Sequence, residues 1–181
     1  DVTATGALVL QDVATVNVAG GVDLSGGSVT ANDDVGSILL SGAGADANQI
    51  LGTAGDVLIG GAITDDAAFN QDLTITATGN VSVTDITVDG AGAGNIVITA
   101  NGTELSSTGA ISGINNVTLS GSDGTELLDI DGNVTATNGA LTLQQANVDL
   151  AGDANLTGDT VAADTGTCLL YTSPSPRDDS Q

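Results

Sequence analysis

The first 167 residues contain no lysine, arginine, histidine, cysteine, methionine, tryptophan, tyrosine or proline. Each absence removes something. Without Lys and Arg the chain cannot displace counterions from phosphate, which excludes a nucleic-acid footprint and disfavours an anionic membrane surface. Without His, Lys or Arg no side chain is available as an imidazole base, as a charged partner for an acidic sugar, or as a cationic stabiliser of an oxyanion. No apolar run approaches the roughly 18 residues needed to span a bilayer, so the segment is not expected to be membrane-spanning. The missing cysteines are compatible with export through an oxidising compartment. Phe69 is the single aromatic of this stretch, so any interior must be thin, regular and built from Val, Leu, Ile and Ala.

What is present is acid and short aliphatic clusters. The 167 residues carry 19 Asp and 2 Glu, a formal charge of −21. Such a balance often marks disorder. Here, however, the apolar residues recur in β-branched clusters separated by Gly, Asn and Asp, which is a strand-and-turn pattern. No segment shows a 3.6-residue apolar stripe and glycine is too dense for a long helix, so no significant helix is expected.

The clusters repeat. Leu73-Thr-Ile-Thr76, Ile96-Val-Ile-Thr99, Val117-Thr-Leu-Ser120 and Leu141-Thr-Leu-Gln144 begin 23, 21 and 24 residues apart. Each alternates apolar with polar or β-branched residues, the period-2 signature of a half-buried strand. Stacked, the pairs Leu73/Ile75, Ile96/Ile98, Val117/Leu119 and Leu141/Leu143 form two aliphatic columns, and Thr74/Thr76, Val97/Thr99, Thr118/Ser120 and Thr142/Gln144 point outward. Shorter strands lie between them, at Val81–Val83, Ile86–Val88, Leu127–Ile130, Val134 and Val148–Leu150. Gly79-Asn80, Gly94-Asn95 and Gly132-Asn133 each step into a strand and are expected to form corners by adopting left-handed backbone. In the first third the strand-like segments Ala7–Leu10, Val16–Val18, Val22–Leu24, Ile38–Leu40 and Val57–Ile59 drift in spacing, and Ser41–Gln49 is expected to protrude as a loop.

An immunoglobulin-like sandwich uses longer strands and bulky core residues. Strands of three to four residues, small core side chains and a repeat near 22 residues indicate instead an all-β parallel β-helix, or β-solenoid, of roughly seven coils. The flanking coils of the same chain are then each coil's first partners.

Residues 168–181 differ in kind. Cys168 to Asp178 reads CLLYTSPSPRD and holds the only Cys, Tyr and Arg and both Pro of the chain. It resembles the in-frame translation of a transposase sequencing adapter, with a join that Thr167 accommodates in its third codon position. The expectation is a 1–167 solenoid fragment from the interior of a longer reading frame, followed by a non-native, disordered 168–181 tail.

The stretch NQDLTITATGNVSVTDITVDG and the following GAGNIVITANGTELSSTGAI resemble the repeat regions of filamentous-haemagglutinin-type exoproteins and related large bacterial surface adhesins, over about residues 50 to 167. The resemblance implies a right-handed β-helix, extracellular or on the outer cell surface, serving as a stalk or adhesive passenger. Its ligand on a host cell, matrix or biofilm is unspecified, and no catalytic or cofactor-binding residues carry over.

Three alternatives attach to particular residues. Calcium is the alternative cofactor, because hard cations select clustered carboxylates. Asp46, closing Gly42-Ala-Gly-Ala-Asp46, resembles half of a calcium repeat, although Asn48 stands where a large apolar residue belongs; Asp123, Asp129 and Asp131 form a second acidic concentration. Ice binding is suggested by the outward Thr74 and Thr76, but Val97 and Gln144 interrupt that array, and Leu39 and Leu58 take comparable places in earlier strands. A polysaccharide-active enzyme would need paired carboxylates, and Asp33-Asp34 and Asp65-Asp66, being adjacent, point to opposite faces. The triplets Asn80-Val-Ser82, Asn116-Val-Thr118 and Asn133-Val-Thr135 match a glycosylation acceptor and read as turn-to-strand junctions.

Overall fold

Short aliphatic strands cannot bury themselves as hairpins, and the computed structural model shows how the chain solves this. It describes residues 1–32, 34–42, 46–66, 71–90, 94–144, 146–163 and 168–171, with Asp46 and 168–171 described by backbone alone. Asp33 and Phe69 lie outside the described residues, as do 172–181 of the tail.

The chain crosses three faces in turn as β1 (Val2–Thr3), β2 (Leu8–Leu10) and β3 (Thr15–Ala19). It repeats the circuit as β4 (Leu24–Gly26), β5 (Val29–Ala31) and β6 (Ser37–Ser41), then as β7 (Asp46–Gly52), β8 (Val57–Ile59) and β9 (Ala62–Asp65). The next circuits are β10 (Gln71–Ala77), β11 (Val81–Val83) and β12 (Ile86–Val88), followed by β13 (Ile96–Ala100), β14 (Glu104–Ser107) and β15 (Ile111–Gly113). After β16 (Val117–Ser120) and β17 (Glu126–Ile130), β18 (Val134–Gln144) runs from the third face around the corner onto the first. β19 (Ala146–Leu150) and β20 (Leu156–Ala163) follow, and β21 (Cys168–Tyr171) is last.

Every strand pair is parallel. The first and third faces join through β18 into a 13-stranded sheet, and the second face is an 8-stranded sheet. Among the described residues there is no helix. The protein is thus a right-handed parallel β-helix, the hand that nearly all parallel crossovers take. On the second face β2 through β19 stack as seven strands, with β21 beyond.

The register expected from the repeat is the one observed: Leu73 pairs with Ile96, Ile96 with Val117 and Val117 with Leu141. Strands that alternate buried and half-buried residues, as β10 does over its whole length, aim one column inward per face. The third-face column runs Ile38, Ile63, Ile86, Ile111 and Val134, all essentially inaccessible. Fully burying such a side chain is worth about 1.5–3 kcal/mol. Among the described residues the buried apolar core consists of Val, Leu, Ile and Ala alone.

Two expectations are corrected. The protruding Ser41–Gln49 loop is only partly a loop, because Asp46–Gln49 already belong to β7. Asn48 points inward, 1% exposed, and its Nδ2 donates to Ala19 O and Val22 O at 2.8 and 2.9 Å, tying β7 to the turn after β3. Second, left-handed backbone does not make the Gly-Asn corners. Among the described residues positive φ occurs at Asp12, Gly21 and Gly124. The backbone of Cys168–Tyr171 continues the second-face stack, pairing in parallel with Asn147–Leu150. The last full coil presents unpaired N–H and C=O groups, and the next apolar segment of chain satisfies them.

Candidate functional site

The corners show what a recurring set of acidic and amide side chains does. Where the chain enters the first face, Asp1, Asp23, Asn95 and Asn116 each stand directly before a strand, and Asp72 is the second residue of β10. Asp72 Oδ1 accepts from Asn95 N and Nδ2 at 2.7 and 3.0 Å. Asn95 Oδ1 accepts in turn from Asn116 N and Nδ2, and Asn116 Oδ1 from Ala140 N at 3.0 Å. The second-face corner repeats the device, with Asp56 Oδ1 accepting from Asn80 N, and Asn80 Oδ1 from Thr103 N and Glu104 N. At the third-face corner Asp85 Oδ1 accepts from Ala110 N and Asn133 Oδ1 from Asn155 N. Each side-chain oxygen thereby satisfies a backbone donor one coil further on, where the ladder is interrupted by the bend.

The adjoining glycines serve close approach. A Cβ on Gly79 would stand 2.1 Å from Asp56 Oδ1, and one on Gly132 2.1 Å from Gly109 O. The Asn-x-Ser/Thr triplets also resolve: the Asn caps the coil, the next residue enters the core and the Thr or Ser faces out.

The calcium candidates fall on β7, on the loop before β17, and on and just after β17. Asp46 opens β7; its side chain and residues 43–45 lie outside the described residues. Asp123 lies before β17, and its Oδ1 accepts from Thr125 N at 3.0 Å and Thr125 Oγ1 at 2.6 Å, closing a local turn. Asp129 is on the outer face of β17, and Asp131 follows that strand. Among the described residues no three His, Cys, Asp or Glu side chains are grouped to hold a metal ion.

Glu126, which the sequence did not single out, is the acid the loop is built around. It is 2% exposed and accepts from Ser122 Oγ at 2.5 Å, Thr125 N at 3.2 Å and Asp123 N at 3.3 Å. Burial alone would raise its pKa. The hydrogen bonds from Ser122, from its own amide and from Asp123 outweigh that and hold it at about 2. Asp129 moves the other way: burial pushes its carboxyl above the ordinary range, and the charges of Asp131, Glu104 and Asp149 add to the shift. Asp149 is its register partner in the next coil. Of the paired acids, Asp65 accepts from Asp89 N and Gly90 N at 3.2 and 3.0 Å. Burial raises its pKa against those bonds. Its neighbour Asp66 is exposed.

The outward surface consists of files, one residue per coil. On the first face Thr74, Val97, Thr118 and Thr142 align, as do Thr76, Thr99, Ser120 and Gln144. Leu39 and Leu58 do not belong to that face. Leu39 stands between Asn17 and Thr64 on the third, and Leu58 between Thr30 and Ser82 on the second, 39% exposed beside a shallow groove lined by Asn32 and Thr84. The third face carries an unbroken hydroxyl file of Thr64, Thr87, Ser112, Thr135 and Thr157. β12 and β15 have three residues each, so each presents one outward side chain and the file is one residue wide. No described helix is long and apolar enough to cross a membrane. Comparison with protein-family models, with curated proteins and with solved structures finds no match.

Proposed function

We propose that this solenoid is a spacer and adhesive scaffold within a large exported bacterial surface protein, working through its length and its outer faces and not through catalysis. The structural repeat itself is the observation that carries the reading. Three continuous parallel ladders let each coil add a fixed rise of about 4.8 Å without changing the cross-section, and each coil is stabilised by its two neighbours. Outward files of Thr, Ser, Asn and Asp suit an extracellular surface that stays hydrated and resists lateral sheet pairing. The same files repeat a narrow set of hydrogen-bonding groups along the axis, which suits weak multivalent contact with a repetitive matrix or biofilm polymer.

Beads coated with the protein, flowed over mucin, collagen and polysaccharide surfaces, test the adhesive part. Retention on at least one surface above that of beads carrying a charge-matched acidic protein is expected. Equal retention on every surface would reduce the chain to a passive spacer.

A further inference from the structure

Two sets of asparagines in this chain differ in the residue that follows them. The corner residues Asn80, Asn95, Asn116, Asn133 and Asn155 all precede Val, Ile or Leu, whose bulk hinders attack of the following backbone nitrogen on the side-chain amide. Asn101 and Asn138 precede glycine, which removes that hindrance. By local sequence these two are equally reactive, and the fold separates them.

Asn101 is held on both sides. Its Nδ2 donates to Ala77 O at 2.7 Å, and the amide of Gly102, the nitrogen that would attack, donates to Gly79 O at 2.9 Å. Asn138 is exposed. Its backbone N donates to Ile114 O at 2.8 Å, while its side chain makes no hydrogen bond to the described residues. Gly139 lies in the part of β18 where the register with β20 shifts, between Ala136 and Ala140.

We propose that Asn138-Gly139 is a site of spontaneous deamidation in the folded protein and that Asn101-Gly102 is protected. The Gly139 nitrogen bonds to Asn138 Cγ, the bond from Cγ to the side-chain nitrogen breaks, and ammonia leaves with the amide proton. A succinimide ring results. Water opens it at either carbonyl, giving aspartate or isoaspartate, and no oxidant or cofactor takes part. The isoaspartate product places an additional backbone carbon at the corner where β18 passes from the third face to the first, and either product adds a negative charge to a chain whose formal charge is already −22.

The test is to incubate the intact folded protein at mildly alkaline pH and map its peptides by mass spectrometry, scoring isoaspartate with isoaspartyl methyltransferase. Conversion at Asn138 is expected to run at least several-fold ahead of Asn101. In concentrated urea the two rates should converge, because only the fold distinguishes them. Asn138→Gln should abolish the faster signal. The proposal is overturned if Asn101 converts as fast as Asn138 in the folded protein, if the difference persists in urea, or if Asn138 stays intact while folded and reacts only when unfolded.

Discussion

Glu126 shows how one residue can reverse the meaning of a composition. Read along the chain it is one acid among many, yet its carboxylate is buried and organises the Ser122–Thr125 loop through three donors. Its folded pKa of about 2 lies below the ordinary 4.5. The stability it contributes is therefore fully present above about pH 4.5 and is lost as pH falls toward 2. Urea midpoints measured across that window should fall more steeply for the wild type than for Glu126→Gln, and the gap between the two should close at the acid end. If both fall in parallel, the carboxylate is not what holds the loop. Asp129 would add a contribution of opposite sign, since its raised pKa makes its charged form the less favoured one once folded. Neither acid could be ranked from sequence, because spacing along the chain does not show which carboxylate meets a backbone donor and which meets another carboxylate.

At the scale of the element, period-2 alternation made the four aligned first-face segments from Leu73 to Gln144 legible, and their register follows from it, while the strands Glu104–Ser107, Ile111–Gly113 and Leu156–Ala163 were not singled out. The first third was harder for a definable reason. Ile50 pairs with Leu24 and Ile75 across steps of 26 and 25 residues, and the inward Asn48 breaks the apolar pattern while keeping the geometry. The corners were located correctly but explained wrongly: what glycine supplies there is the missing Cβ. Gly132→Ala would set a methyl against the Gly109 carbonyl and is expected to cost about 1–3 kcal/mol. Gly6→Ala, with open space around it, should stay within about 0.5 kcal/mol. Urea denaturation of the two variants decides this, and equal costs would return the corners to a backbone-conformation account.

For the whole molecule, the formal charge of −22 acquires an internal explanation. Asp1, Asp23, Asp56, Asp72, Asp85 and Asp65 are acceptors for backbone donors in the next coil, so part of the acidity is what it takes to turn corners repeatedly, and self-repulsion is its cost. Sodium chloride, by screening that repulsion, should raise the melting temperature by a few degrees between about 20 mM and 500 mM. At matched ionic strength calcium should do no more than magnesium; a specific calcium increment would show ligand linkage and revive the calcium reading. The ladders have a mechanical consequence as well. Their hydrogen bonds run along the long axis, so tension applied between the ends loads one coil's bonds at a time, as in unzipping, instead of shearing many together. Each coil of about 22 residues would release roughly 75 Å of contour as it opened. A tether built this way yields in small successive steps at modest force and re-forms from the coil that remains, lengthening under a pull while most of its length stays folded.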